Sequence, residues 1–358
     1  MTNKITFPLD NARLLQELRD EVYEYFEVNG IEKTGNASLY FKSFVMFLLF
    51  FAPFTIVVNF HVSFWENFFL ATVSGFGMAG VGMNVMHDAN HRTYHKKKWV
   101  SRFVADLMFI LPTHPFNWIN QHNIAHHTHT NISGGDEDFE SNGIFRFTKE
   151  QKWKPYHRFQ HLYAIPLYGA TTFMRAVAWS FTRMYRHFRD NPKTPVTKKR
   201  KEWATLITLR AVYFFFWLGV PIIFGKNEWY YTFLFFLTMH FVCGVILTTI
   251  FQLAHMVPIA QTFESDDEKD SWIVHQLKTT SNFATGNAPI RWFCGGLTHQ
   301  IEHHLFTNIC HVHYRKIVEK KVRDFCKRKG IPYLEYKTFQ GALNAHFGLL
   351  RDLGRKPA

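Results

Sequence analysis

The chain separates into long apolar runs and charged stretches instead of alternating at the spacing of a soluble core. From Phe41 to His61 the only charge is Lys42, and from Val62 to Met86 the only charge is Glu66. A hydrocarbon core of ~30 Å needs about 20 such residues in a helix, so each run is long enough to span it. The junction near Asn59 to Ser63 is short, which forces an antiparallel hairpin and returns Met86 to the side of Lys42. The pattern repeats from Ala204 to Phe224 and from Trp229 to Gln252, with only Arg210, Lys226 and Glu228 charged within or between them.

Between the two pairs lies a polar region, His87 to Trp203, with two apolar stretches. Phe103 to Leu111 is too short to span. Leu162 to Phe181 carries Pro166 and Arg175 and reads as an interfacial helix, with a further span as the alternative. Residues 1–36 are polar with helical spacing through Leu14, Leu15, Leu18, Val22 and Tyr25, which predicts a surface helix that either lies on the membrane or packs against the body. The acid-rich stretch Gln261 to Ser271, with Glu264, Asp266, Asp267, Glu268 and Asp270, reads as a solvated loop. The predicted architecture is an all-α integral membrane protein. It has an amino-terminal amphipathic segment over 1–40, a membrane domain over 41–317 with spans at about 41–61, 62–86, 204–224 and 229–252, and a carboxy-terminal tail over 318–358.

Composition and charge orient this layout. Phe occurs 39 times and aromatics reach 18%, while the mean hydropathy of −0.15 hides the segregation because greasy and charged stretches cancel. The formal net charge is +13. Lys96, Lys97, Lys98, Lys198, Lys199, Arg200 and Lys201 border the central region, whereas the two opposite loops share one Lys. The positive-inside rule therefore puts the central region and both termini in the cytoplasm, as a helical cap. No nucleic-acid-binding signature accompanies the charge, so nucleic acid is not an expected partner. The four cysteines form no close pair, which argues against a disulfide framework. The opening MTNKITFPLD lacks the apolar stretch of a cleavable signal, so the first span is expected to direct insertion.

The 21 histidines carry the chemistry. His87-Asp-Ala-Asn-His91 follows the second span; if that helix continues, the i, i+4 spacing puts both rings on one face within reach of one metal. His122-Asn-Ile-Ala-His126-His127 repeats the spacing with an adjacent ring, and Gln300-Ile-Glu-His303-His304 forms a third cluster. His255 lies just past the fourth span. A single such pair is more often solvated than metallated. Together they are not, because all four clusters sit at the cytoplasmic ends of the spans or in the cap. Eight imidazoles, His87, His91, His122, His126, His127, His255, His303 and His304, suit two metals and exceed what one ion needs. Imidazole without thiolate or carboxylate partners points away from zinc-thiolate, iron–sulfur and hydrolytic sites, and toward iron and oxygen chemistry.

These boxes, with Gly295-Gly-Leu-Thr-His-Gln-Ile-Glu-His-His-Leu-Phe306 and Trp272-Ile-Val-His-Gln-Leu-Lys-Thr-Thr280, resemble the membrane fatty acid desaturase family, and within it the front-end branch, whose third box begins with Gln as at Gln300. The resemblance covers Phe41 to Ile317. It implies a di-iron centre held by the eight histidines, with Gln300 as a ninth ligand or supporting partner, and second-tier carboxylates drawn from Asp88, Asp136, Asp138 and Glu302. His95, His129 and His299 fall beside the boxes and outside the family's pattern. Thr130-Asn131 after the second box matches the family. Thr298-His299, and Thr307-Asn308 in place of the usual Pro, depart from it.

The implied reaction uses dioxygen and two irons (Fe2+/Fe3+) to place a cis double bond in a fatty acyl chain carried by CoA or a phospholipid, between the carboxyl end and an existing double bond. An acyl hydroxylase or acetylenase shares the same site and differs in its product. A metal transporter is a non-enzyme alternative, but transporters bind near the bilayer midplane, where these spans hold only His240. No haem-binding His-Pro-Gly-Gly segment, ferredoxin-type cysteine spacing or Gly-x-Gly-x-x-Gly run is present, so electrons are expected from a separate ferredoxin or cytochrome b5 with its reductase.

Overall fold

The structure, a computed structural model, describes residues 5–8, 12–137, 141, 143–265, 267 and 270–357. Asp138, and Asp266 and Glu268 of the acid-rich loop, lie outside these residues. The principal helices are α1 (Ala12–Val28), α2 (Ala37–Asn59), α3 (Phe64–Asn90), α4 (115–129), α5 (160–190), α6 (Val196–Phe224), α7 (Trp229–His255), α8 (Trp272–Thr279), α9 (Gln300–Leu305), α10 (Glu319–Lys329) and α11 (Phe339–Gly354). Of these, α2, α3, α6 and α7 are long and apolar enough to cross a membrane. Two boundaries differ instructively from the sequence reading. α3 runs unbroken through His87 because neither Gly nor Pro interrupts Met83 to Asn90, and α7 extends to His255. Both histidines therefore ride on the ends of spanning-length helices.

Small residues let these helices approach closely. A Cβ on Gly77 of α3 would stand 2.3 Å from the Phe50 nitrogen of α2, and one on Gly244 of α7 would stand 2.5 Å from the Gly169 carbonyl oxygen of α5. Hydrogen bonds replace the missing side chains: Ser74 Oγ donates to Phe50 O at 2.8 Å, and Thr172 Oγ1 to His240 O at 2.8 Å. This is the small-residue packing that apolar surroundings favour, where burial alone gives no preference for helix over lipid. Trp217 of α6 fills the gap against Phe50, Phe51 and Phe54, with ring centroids 5.0, 6.0 and 4.7 Å away. The two short connections meet through Asn227, whose amide donates to Val57 O and Phe60 O and accepts from Val62 N.

The terminal segments are part of the body. Leu18, Val22 and Phe26 of α1 are buried with Ile301 and Leu305 of α9 and Val322 and Phe325 of α10, so the apolar stripe of α1 meets protein. Glu17–Lys329 and Glu21–Arg328 ion pairs close its edge. The expected tail likewise packs. His346 of α11 bonds the Tyr168 hydroxyl at 2.8 Å and Met256 O at 2.7 Å. A two-residue parallel pairing, β1 (Asn282–Phe283) with β2 (Glu335–Tyr336), and an isolated parallel bridge between Ile132 and Phe263 depart from an all-α description.

These contacts predict opposite outcomes for two glycines. Gly244→Val drives a side chain into the α5 backbone and should cost about 1–3 kcal/mol. Gly348→Ala, with nothing within 4 Å of its Cβ, should stabilise by about 0.4–1 kcal/mol. Thermal unfolding of the detergent-solubilised protein separates them.

Candidate metal centre

The chain enters the site by a widened helical turn on two sides. Residues Gly82–Met86 of α3 and Ile119–His126 of α4 form π-type turns, and such turns, which shift the faces of a helix, gather at functional sites. They alter the simple spacing argument. His87 and His91 share one group with His122 and His303, their nearest ring nitrogens all within 4.8 Å of one another, while His126 joins His255 and His304 in a second group within the same limit. The i, i+4 pair of the first box thus serves one group, but the pair His122 and His126 is divided between two. The adjacent pair His303 and His304 is divided likewise. His127 sits between the groups, its ring 4.6 Å from those of both His303 and His304 and its Nε2 3.2 Å from that of His122.

The outward nitrogens are tied down. His126 Nδ1 bonds Asp136 Oδ2 at 2.9 Å, His255 Nδ1 bonds Thr279 O at 3.3 Å, and His304 Nδ1 bonds Gln276 Oε1 at 2.8 Å. His303 Nδ1 approaches the Tyr314 hydroxyl at 3.4 Å. The carboxylate, carbonyl and amide oxygens can only accept, so the ties of His126, His255 and His304 put the proton on Nδ1 and leave Nε2 as the lone-pair nitrogen. The Nε2 atoms of His91, His255, His303 and His304, both ring nitrogens of His87 and the Gln300 amide nitrogen are buried without a hydrogen-bond partner. Burial holds His91, His122, His127, His303 and His304 well below the ordinary imidazole value, and neighbouring imidazoles push the same way. Neutral rings with free lone pairs, aimed at shared points, are the donor set a pair of divalent metals requires. The residues present therefore fit a two-metal centre.

Of the expected carboxylates, Asp136 alone among the described ones meets a candidate ligand. Burial would raise its carboxyl, but His126 and the Asn131 backbone N–H hold it below the usual range. Asp88 turns instead to His311 Nδ1 at 2.6 Å and the Cys310 thiol at 3.0 Å, with Lys42 Nζ 3.0 Å from the other His311 nitrogen. Glu302 accepts from Asn282 and the Tyr333 hydroxyl. On α9 it points away from His303 and His304 toward β1, which explains the difference. His299 pairs with Glu319 at 3.2 Å and Thr298, and His95 accepts from Lys97 N.

Sequence reasoning passed over Gln276, although it lies in the quoted stretch Trp272–Thr280. Thr130 and Asn131 show why they follow the second box. Thr130 Oγ1 donates to His126 O or Gln276 Oε1, and Asn131, at φ 56°, reaches His255 O, Gln261 O and Thr279 O with its amide. A left-handed backbone suits Asn.

Comparison with known proteins gives a consistent picture. The family model described as fatty acid desaturase matches residues 63–337. The chain is 30% identical over 356 residues to the sn-1 linoleoyl-lipid 6-desaturase of Synechocystis sp., covering 94% of each. It is 29% identical to the sn-1 linoleoyl-lipid 6-desaturase of Arthrospira platensis, covering 99% of this chain and 96% of the relative. It is 30% identical to the acyl-lipid (8-3)-desaturase of Physcomitrium patens, covering 96% of this chain and 72% of that one.

Two measurements probe this geometry. Unfolded imidazoles gain protons below about pH 6.5 while the buried ones do not, so the unfolded state binds more protons and stability must fall as pH falls. The metal-free protein should therefore melt at progressively lower temperature from about pH 7 to pH 5; a flat profile would show that these rings protonate in place. Asp136→Asn should weaken metal binding by about 10–100-fold, read by competition with a chelator.

Proposed function

The chain belongs to the fatty acid desaturase family, and from that footing we propose that it is a front-end acyl-lipid desaturase whose nine convergent side chains hold two irons. It is an oxidoreductase that introduces double bonds into acyl chains. The observation that carries the metal reading is the row of buried, partnerless ring nitrogens converging in two adjacent groups. His87, His91, His122 and His303 would hold one ion and His126, His255 and His304 the other. His127 lies between, and Gln300 completes the set. The bound irons would supply the activation of dioxygen that removing hydrogens from an unactivated methylene requires.

The protein's own contribution is to hold, dry and orient. Asp136, Gln276 and the Thr279 carbonyl keep the imidazoles in one tautomer. Burial excludes water from all candidate ligands except the edge of His91. Asp138 remains a candidate for the same supporting role. Front-end selectivity and a lipid-borne acyl chain are supported by the names of the relatives and by Gln300 opening the third box. Formation of a double bond is favoured over hydroxylation by the same relatives.

In the membrane we read α2 with α3, and α6 with α7, as two hairpins whose short connections, joined through Asn227, face away from the cytoplasm. The metal groups, lying at the far ends of α3 and α7, then face the cytoplasm together with both termini. The exposed Lys96, Lys97, Lys98, Lys198, Arg200 and Lys201 suit an acidic ferredoxin or cytochrome b5, with its reductase, as the separate electron source.

Expression in a host lacking polyunsaturated lipids, followed by double-bond mapping of its fatty acids, tests the reaction. A new cis bond on the carboxyl side of an existing one is expected, and a hydroxy acid would overturn the reading. Purified protein should contain about two irons. His255→Ala should abolish turnover as fully as His126→Ala or His303→Ala, whereas His95→Ala and His129→Ala should retain substantial activity in the same membranes.

A further inference from the structure

A cavity of about 340 Å³ opens on the surface beside the candidate metal centre, lined by His91 and His127 together with Asn90, Asn123 and Thr307, with the exposed Arg92 at its edge. His91 is the single candidate ligand that is not fully buried. Among the candidate ligands, half-buried His91 is the one that lines this opening with part of its ring exposed.

Arg92 stands at that mouth in an unusual way. It lies just past the end of α3 with φ 63°, the left-handed conformation that Gly or Asn adopts with little strain and a long cation does not. Its side chain is exposed, and among the described residues no carboxylate pairs with it. An observed backbone outlier next to a site is reason to look for a role. Lys96, Lys97 and Lys98 follow within six residues, all exposed, and extend the positive surface well beyond what a single phosphate would need.

We infer that the rim of this cavity, centred on Arg92, is where an acidic one-electron carrier protein docks to reduce the metals past the His91 edge. The inference rests on the desaturase reading above and names the port through which that reading is supplied. Two reduced carriers each give up one electron per double bond. These two electrons, two protons and the two substrate hydrogens reduce dioxygen to two waters, and both carriers leave oxidised. Charge around the rim would draw in the acidic face, and the concavity would seat its edge over His91.

The test uses the full chain in detergent with an acidic ferredoxin as probe. Arg92→Glu should weaken ferredoxin binding and raise the KM for reduced ferredoxin by about tenfold, the effect shrinking as salt rises. Arg92→Asn, which suits the left-handed backbone and removes only charge, should raise it by about threefold. Iron content, melting temperature and reduction of the metals by dithionite should match wild type, which separates docking from a folding defect. Unchanged ferredoxin binding in Arg92→Glu would overturn the inference. So would a raised KM for the acyl lipid with ferredoxin binding intact, since the cavity would then take the substrate headgroup. The binding measurement decides the docking surface even if dithionite-reduced wild type makes no double bond, an outcome that would instead overturn the desaturase reading.

Discussion

A buried ring nitrogen left without a hydrogen-bond partner costs on the order of 1–3 kcal/mol, and this protein gathers several of them within a few ångströms of one another. For His255 and His304 the second nitrogen is already committed to the Thr279 carbonyl and to Gln276, so turning the ring would only exchange one unpaired nitrogen for another. Ionisation does not relieve it either, since burial opposes charge on these rings and adjacent imidazoles push the same way. A metal would satisfy these lone pairs at once, and its binding would then add to the stability of the folded chain.

That constraint explains the placement of the helices. α3 and α7 carry His87 and His255 at their very ends, and the tight packing around Gly75, Gly77 and Gly244 fixes those ends laterally. The second and third boxes come from α4 and α9, short elements that could not hold position alone. α9 is pinned by α1 and α10 through Ile301 and Leu305 and by Asn282, which accepts from Ile301 N and donates to Glu302. α4 is pinned by the Thr130 and Asn131 bonds. The terminal segments are therefore braces for the third box, and the weakest part of the site geometry is made rigid from outside the membrane-length helices.

What could be read from the sequence follows from the range of each signal. Spanning runs and histidine boxes are local patterns, and the runs locate the four long helices, three of them to within about four residues, while α6 begins at Val196, ahead of the expected Ala204. The partners of Asp88 and Glu302 are not local. Asp88 meets His311 across 223 positions, and Glu302 meets Tyr333 across 31, so proximity in the box suggested imidazole partners that tertiary packing replaced. The division of His122 and His126 between two groups was hidden for a different reason: an α-helical wheel assumes 3.6 residues per turn, and the π-type turn over Ile119–His126 does not keep it. The role of α1 was open because an amphipathic stripe fits a membrane surface and a protein groove equally well. The match to Ile301 and Leu305 decides it.

The one histidine inside a membrane-length helix away from the boxes bears on the transporter alternative. His240 of α7 is buried, but both of its ring nitrogens are engaged, Nε2 with the Tyr213 hydroxyl at 2.7 Å and Nδ1 with Thr172 Oγ1 at 3.0 Å. It joins α5, α6 and α7 as a structural bond and has no lone pair to offer a passing ion. Alternating access needs ligands near the midplane that two halves of the protein can expose in turn. Here the candidate ligands lie instead at the ends of α3 and α7 and on elements beyond them, interlocked by side chains from five separate stretches of chain. A site built that way would have to unpack the braces around it to release an ion, which argues against alternating access.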